Sequence, residues 1–85
     1  MKHFTYIVKD SIGLHARPAG LLVKEAKKYQ SMITVKKGGK TAGALKMIAL
    51  MGLGITCGDM IEIEVDGPDE ESAATDLQRF FEENL

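Results

Sequence analysis

Hydrophobic and polar side chains alternate in three segments of the chain, a pattern typical of half-buried β-strands. Segments 3–9, 32–37 and 60–66 each place apolar residues on one face and polar residues on the other. The predicted inward-facing residues are Phe4, Tyr6, Val8, Ile33, Val35, Ile61, Ile63 and Val65. A fourth, shorter strand is predicted over residues 40–44, after the turn at Gly38-Gly39.

Three other segments have the spacing or length of helices. Residues 16–29 carry Pro18 in the first turn, where its missing N–H costs nothing. Residues 46–52 suffice only for a brief helix, and residues 69–85 begin with three acids that suit the positive end of a helix dipole. The order βαββαβα predicts an α+β fold in which three helices cover one face of a four-stranded antiparallel sheet.

Length and composition indicate one globular domain, residues 1–85. The chain has 85 residues, of which 45% are hydrophobic and 27% charged, so it has no room for a linker or a second core. No apolar run approaches the length of a membrane span, and the N-terminus enters a strand pattern directly. The single cysteine, Cys57, excludes an internal disulfide. We therefore expect a cytoplasmic protein without membrane insertion.

Charge is divided along the chain although the net charge is only -1. All but one of the 11 Lys and Arg residues precede Gly58, and all but two of the 12 Asp and Glu residues follow it. This division permits a basic face that attracts an acidic protein, although an ordinary solvated surface also produces it. The pI of about 6.1 and the absence of Trp argue against nucleic acid as a partner.

The run Gly13-Leu14-His15-Ala16-Arg17-Pro18 places an imidazole and a guanidinium at a predicted helix start. The first N–H groups of a helix have no intrahelical partner, so those of Ala16 and Arg17 can bind an anion. The helix dipole and the Arg17 charge add to this preference, and Pro18 restrains the backbone. A neutral imidazole is a nucleophile at neutral pH. This arrangement favours phosphohistidine at His15 and indicates a phosphoryl acceptor.

Other roles for His15 are compatible with its position alone. A histidine near a helix start is often only a capping residue. No second histidine, cysteine pair or carboxylate has metal-ligand spacing to His15, so we expect neither a metal nor a cofactor. A hydrolytic triad lacks ordered partners, and an independent acid–base enzyme would need further catalytic groups and a pocket.

The first predicted helix has two stripes, at about 100° per residue. The core stripe comprises Ala19, Leu22, Val23 and Ala26. The opposite stripe comprises Arg17, Gly20, Leu21, Lys24, Lys27 and Lys28. It lacks acids and leads away from His15, which suggests a docking face, although exposed lysines also simply solubilise helices. In the short helix Leu50 is expected in the core, leaving Met47, Ile48 and Met51 as an apolar contact patch unless a methionine fills a core gap.

The run from Gly13 to Ala19 resembles the active-site signature of the HPr family, the histidine-containing phosphocarriers of the bacterial phosphoenolpyruvate:sugar phosphotransferase system. The resemblance extends over the chain, through the Gly39-Lys40 turn, the Leu53-Gly54-Ile55 segment and the acidic final helix. It implies an open-faced β-sandwich and phosphorylation of His15 at Nδ1 by enzyme I. It also implies onward transfer to enzyme IIA proteins, which contact the first two helices. We expect a monomeric carrier rather than an enzyme.

Two positions depart from the pattern of that family. The family's regulatory serine, at the start of the second helix, corresponds to Lys46, so no hydroxyl is available there for a kinase. Ile12 stands where many members carry a small polar residue. An HPr-like regulatory binding module that no longer cycles phosphate is the alternative, and the presence of His15 and Arg17 argues against it.

Overall fold

A computed structural model describes residues 1–85 and contains the seven elements in the predicted order. They are β1 (Lys2–Ile7), α1 (Ala16–Ala26), β2 (Met32–Lys37), β3 (Lys40–Gly43), α2 (Met47–Gly52), β4 (Met60–Asp66) and α3 (Glu70–Asn84). Four antiparallel strands form one sheet in the order β1-β4-β2-β3. The predicted α+β class and the βαββαβα order are confirmed.

The sheet buries one face and leaves the other open. Ile63 in β4 lies opposite Phe4 in β1 and Val35 in β2, and Val35 in turn lies opposite Ala42 in β3. This row faces the helices, which contribute Leu22, Leu50 and Phe81 among others to the core. The uncovered face carries mainly polar side chains, together with exposed Ile7, Met32 and Met60, because successive residues of a strand point to opposite sides. The result is an open-faced β-sandwich.

Polar contacts between neighbouring strands organise the uncovered face of the sheet. Glu62 in β4 lies 3.2 Å from His3 Nδ1 in β1. Glu64, two residues further along β4, lies 2.7 Å from Lys36 Nζ in β2. His3 is therefore an exposed strand residue, as the alternation predicts, and it points away from the helices.

Helix α1 ends at Ala26, so the prediction of a helix extending to Tyr29 was wrong. The amides of Lys28 and Tyr29 donate to the carbonyls of Glu25 and Ala26, three residues back, which closes a tight turn. The Tyr29 hydroxyl lies 2.7 Å from a Glu25 oxygen and 3.1 Å from Asp76 in α3. Tyr29 continues the apolar spacing of the helix although it lies in the turn. Its side chain still packs against the core there.

Lys28 belongs to the predicted basic stripe, but in this turn it is paired with an acid. Its Nζ atom lies 2.9 Å from Glu25 Oε1. Lys24 and Lys27 form no ion pair. The free positive charges of α1 are therefore Arg17, Lys24 and Lys27.

Gly13 lies at the closest approach between the segment before α1 and the loop before β4. Its φ angle is +91°, and a Cβ atom built on it would lie 2.3 Å from the carbonyl oxygen of Ile55. The next amide, that of Leu14, donates to this same oxygen at 3.1 Å. Only glycine satisfies both the backbone angle and the available space here. Gly13 therefore fixes the position of the chain just before His15.

We predict that Gly13→Ala destabilises the fold more than Gly58→Ala. Gly58 has the nearly identical φ of +90°, but nothing lies within 4 Å of its added Cβ. Both variants incur the cost of a left-handed backbone, about 1–2 kcal/mol. Gly13→Ala adds an overpacking cost of about 1–3 kcal/mol. Urea unfolding of both variants measures the difference in the free energy of unfolding. Equal losses of this free energy would show that the loop at Ile55 moves aside without cost.

Candidate functional site

His15 occupies the N-cap position of α1, but its ring does not cap the helix. Its backbone is extended, with φ -92° and ψ -172°, and its carbonyl accepts the Ala19 amide at 3.0 Å. The imidazole makes no capping hydrogen bond and is 35% exposed. The backbone thus begins the helix while the ring remains available for chemistry.

Two amides beside His15 have no acceptor within the protein. Neither Ala16 nor Arg17 donates a backbone hydrogen bond, and no side chain accepts from them. Pro18, which follows, is buried and has no N–H. The Arg17 side chain is exposed and forms no ion pair. The helix start therefore presents two N–H groups and one unpaired guanidinium, as the sequence predicts.

Asp10 is a member of the site that the sequence motif from Gly13 to Pro18 does not include. Its Oδ1 atom accepts the amides of Ile12 at 2.9 Å and Gly13 at 3.2 Å. The same atom lies 3.8 Å from His15 Nε2. An Asp that accepts amides two and three residues ahead is the ordinary signal of an Asx turn. The sequence therefore contained the signal for the turn. The short distance between the Asp10 carboxylate and the His15 ring depends instead on the path of the chain from this turn into α1.

The loop beneath this segment is held by a lysine from β2. Lys37 Nζ donates to the Gly54 carbonyl at 2.6 Å and lies 2.8 Å from Asp59 Oδ2. Asp59 also accepts the Thr56 amide at 2.8 Å and its hydroxyl at 3.1 Å. The hydrogen bond from Lys37, followed by the one from the Thr56 amide, lowers the pKa of Asp59 to about 2. This network supports the Ile55 carbonyl against which Gly13 and Leu14 rest.

The site is a shallow cleft rather than a substrate cavity. A depression of about 250 Å³ is lined by Asp10, His15, Arg17, Pro18, Leu21, Glu83 and Asn84. A larger groove of about 550 Å³ lies between the end of α1 and the connection from β3 to α2, and it does not include His15. No group of three His, Cys, Asp or Glu side chains is arranged to hold a metal ion. The His15 cleft is open enough for another protein to reach the ring.

The residues assigned to docking form one surface because α1 and α2 pack side by side. A Cβ atom on Gly20 would lie 3.9 Å from Met47 Cε, so Gly20 marks the junction of the two helices. Ile48 is 85% exposed, and Met51 is 41% exposed. The remaining exposed members are Leu21, Lys24, Lys27 and Met47. Leu50 is fully buried, as predicted.

Lys46 is the N-cap residue of α2 and is exposed. It makes no side-chain capping hydrogen bond, since a lysine offers no acceptor for the helix amides. The first turn of α2 contains no acidic residue. No helix in the structure combines the length and apolar composition needed to cross a bilayer.

Comparison with known proteins places the chain in a family. The family model described as the PTS HPr component phosphorylation site matches residues 2–83. Phosphocarrier protein HPr of Mycoplasma genitalium is 41% identical over 85 residues, covering 99% of this chain and 97% of that protein. The chain therefore belongs to the HPr family of phosphocarriers, which are carriers in the phosphotransferase system rather than catalysts.

Two solved structures share this fold. The crystal structure of HPr-C-His from Thermoanaerobacter tengcongensis has a TM-score of 0.93 and 38% identity, covering 99% of this chain and 94% of that one. The crystal structure of the Bacillus subtilis catabolite repression protein Crh, a dimer with a swapped domain, has a TM-score of 0.78 and 32% identity. It covers 100% of this chain and 98% of that chain.

We predict that Asp59→Asn lowers stability at neutral pH and that the loss shrinks in acid. The folded pKa lies below the unfolded value of about 3.9, so ionised Asp59 contributes its full stabilisation above pH 4. That contribution disappears as the pH falls toward 2. Urea unfolding between pH 7 and pH 2 tests this, with Asp66→Asn as an equal-charge control at an exposed site. A loss for Asp59→Asn that does not vary with pH would contradict the assignment.

Proposed function

We propose that the chain carries a phosphoryl group on His15, accepting it from phosphorylated enzyme I and donating it to enzyme IIA during sugar uptake. The phosphoryl group originates in phosphoenolpyruvate. The observation that supports this most directly is the partly exposed His15 ring, which makes no capping hydrogen bond, beside two unpaired amides and Arg17. In this proposal the partner enzymes are the catalysts, and the carrier is consumed and regenerated by them as a single cytoplasmic domain and a monomer.

The chemistry requires little from the carrier beyond a nucleophile and an anion site. A lone pair of the neutral ring attacks phosphorus, and the bond from phosphorus to the donor breaks with its electron pair leaving on the donor. The phosphoryl oxygens then lie near the Ala16 and Arg17 amides and the Arg17 guanidinium, which stabilise their charge. The shallow cleft excludes little water, so the partner protein supplies the rest of the active site.

Docking is proposed to use the α1–α2 surface. Arg17, Lys24 and Lys27 present unpaired positive charge, which attracts an acidic partner from a distance. Met47, Ile48 and Met51 follow on α2, and flexible methionines fit more than one partner surface. Gly20 and Leu21 connect the two parts. The surface begins at His15, so a partner bound to it reaches the ring.

The alternative is a regulatory binding module that keeps this surface but no longer cycles phosphate. The fold alone does not separate the two functions, since the catabolite repression protein Crh shares it. The unpaired Arg17 guanidinium beside the partly exposed His15 ring favours the carrier, because Arg17 forms no ion pair that would stabilise the fold. Phosphate uptake from phosphoenolpyruvate and enzyme I distinguishes the two functions.

We predict that His15→Ala abolishes acid-labile phosphate uptake from phosphoenolpyruvate and enzyme I, while His3→Ala retains it. His3 is the matched control because it is the other histidine and lies on the opposite face of the sheet. Arg17→Ala should slow uptake about 10- to 100-fold, since a charge-assisted hydrogen bond contributes about 1.5–3 kcal/mol. Mass spectrometry measures the label. Full phosphorylation of His15→Ala at another residue would overturn the assignment of His15.

We predict that charge and apolar contact act on different steps of docking to enzyme I. Lys24→Glu with Lys27→Glu should slow association about tenfold at low ionic strength, and salt should reduce the deficit. Ile48→Glu should instead accelerate dissociation about tenfold without rescue by salt, because a carboxylate must be desolvated. Met32→Glu is the matched control, since Met32 is a 73% exposed apolar residue on β2.

Surface-binding kinetics at two salt concentrations measure both rates. Circular dichroism verifies that each variant is folded. Normal dissociation of Ile48→Glu would remove α2 from the docking surface.

A further inference from the structure

We infer that Asp10 is a positioning residue for His15: its carboxylate selects the tautomer that carries the proton on Nε2 and the lone pair on Nδ1. The observation behind this is the 3.8 Å separation of Asp10 Oδ1 and His15 Nε2. The part of the inference that concerns phosphoryl transfer rests on the proposed function. The tautomer itself is a property of the unphosphorylated chain.

The Asp10 carboxylate is held in place by both its own turn and the end of α3. Its Oδ1 atom accepts the amides of Ile12 and Gly13. Its backbone amide and that of Lys9 donate to the main-chain oxygen of Leu85 at 2.7 and 2.6 Å. Leu85 is only 5% exposed, so this acceptor is anchored in the core. The carboxylate is therefore fixed before any partner binds.

Asp10 is the charged group that faces a nitrogen of the His15 ring most directly. The other charged side chains lining the cleft are Arg17 from α1 and Glu83 from α3, and neither forms an ion pair with the ring. The separation of 3.8 Å exceeds an ordinary hydrogen bond. Hydrogen bonds of reactive groups are often long in unliganded structures and shorten when the partner or the reacting group is bound.

A carboxylate facing one nitrogen of a neutral imidazole determines which nitrogen carries the proton. An ionised carboxylate only accepts hydrogen bonds, so it stabilises N–H at the nitrogen it faces and disfavours a lone pair there. With the proton on Nε2, the lone pair is on Nδ1, the nitrogen that does not face Asp10. The nucleophilic nitrogen is thereby chosen before the phosphoryl donor arrives.

The same carboxylate assists the release of the phosphoryl group. When a nucleophile of the acceptor protein attacks phosphorus, a new bond to phosphorus forms and the bond to His15 Nδ1 breaks. The electron pair of the broken bond returns to Nδ1. A proton held on Nε2 by Asp10 stays there, so His15 leaves as neutral imidazole instead of the much poorer imidazolate. Asp10 therefore supports both acceptance and release.

The first test measures the tautomer without phosphate. Long-range proton–nitrogen correlation spectra of the ¹⁵N-labelled chain at pH 9, where neutral imidazoles dominate, report which nitrogen of each histidine carries the proton. We expect the Nε2–H form at His15. Asp10→Asn keeps an Oδ1 acceptor for the turn but removes the charge, and it should raise the Nδ1–H form about threefold. Asp66→Asn, which removes an exposed carboxylate from β4, should have no effect.

His3 provides an internal reference in the same spectra. Its Nδ1 atom, not Nε2, lies 3.2 Å from a Glu62 carboxylate oxygen, so the same physics predicts the Nδ1–H form there. That form should be unchanged in Asp10→Asn. Asp10→Ser, which retains a turn-forming hydroxyl without charge, should change His15 in the same direction as Asp10→Asn. Unchanged Ile12 and Gly13 amide resonances in at least one of these variants verify that the turn persists.

The second test follows release after loading with enzyme I and phosphoenolpyruvate. Asp10→Asn should transfer its phosphoryl group to enzyme IIA about three- to tenfold more slowly near pH 8, whereas Asp66→Asn should transfer it at the wild-type rate. A wild-type tautomer in both Asp10 variants would overturn the inference whether or not the chain takes up phosphate. A chain that shows the tautomer change but takes up no phosphate would refute the carrier function while leaving the Asp10 assignment intact.

Discussion

Burial of one face of the sheet is the constraint on which the rest of the structure depends. Ile63 and Val35 lie in the two central strands and are fully buried under the helices. Leu22 extends this core into α1, so the rotation of α1 about its axis is set by packing. Once the inward stripe is fixed, so is the outward stripe that carries Lys24 and Lys27. The packing of the core thus sets the orientation of the N-terminal end of α1, where His15 lies.

The His15 site combines a rigid support with an exposed surface. Gly13 brings the preceding segment against the Ile55 carbonyl, and Lys37 ties that loop to β2 through Asp59. These contacts fix the backbone around His15 while leaving its ring partly exposed. A group transferred between proteins requires this combination, because each partner must reach the ring and find the anion site already formed.

The distribution of ion pairs leaves the docking charges unopposed. On the open face of the sheet, Glu62 of β4 contacts His3, and Glu64 of β4 pairs with Lys36. Lys28, in the turn after α1, is paired with Glu25, so Arg17, Lys24 and Lys27 remain as the unpaired positive charges of this segment. The charge division along the sequence thereby becomes a spatial division, in which α1 and its C-cap present unpaired positive charge while most of the acids lie in β4 and α3.

The sequence by itself determined the order of elements, the inward faces of the strands and the His15–Arg17 motif, because alternation and helix-start chemistry are local properties. Only the tertiary structure decided where α1 ends, since Tyr29 turns toward Asp76 in a distant helix. The approach of Asp10 to His15 and the link from Lys37 to Asp59 were also invisible in the sequence. Each depends on how separate segments pack, and side-chain periodicity carries no information about distances between segments.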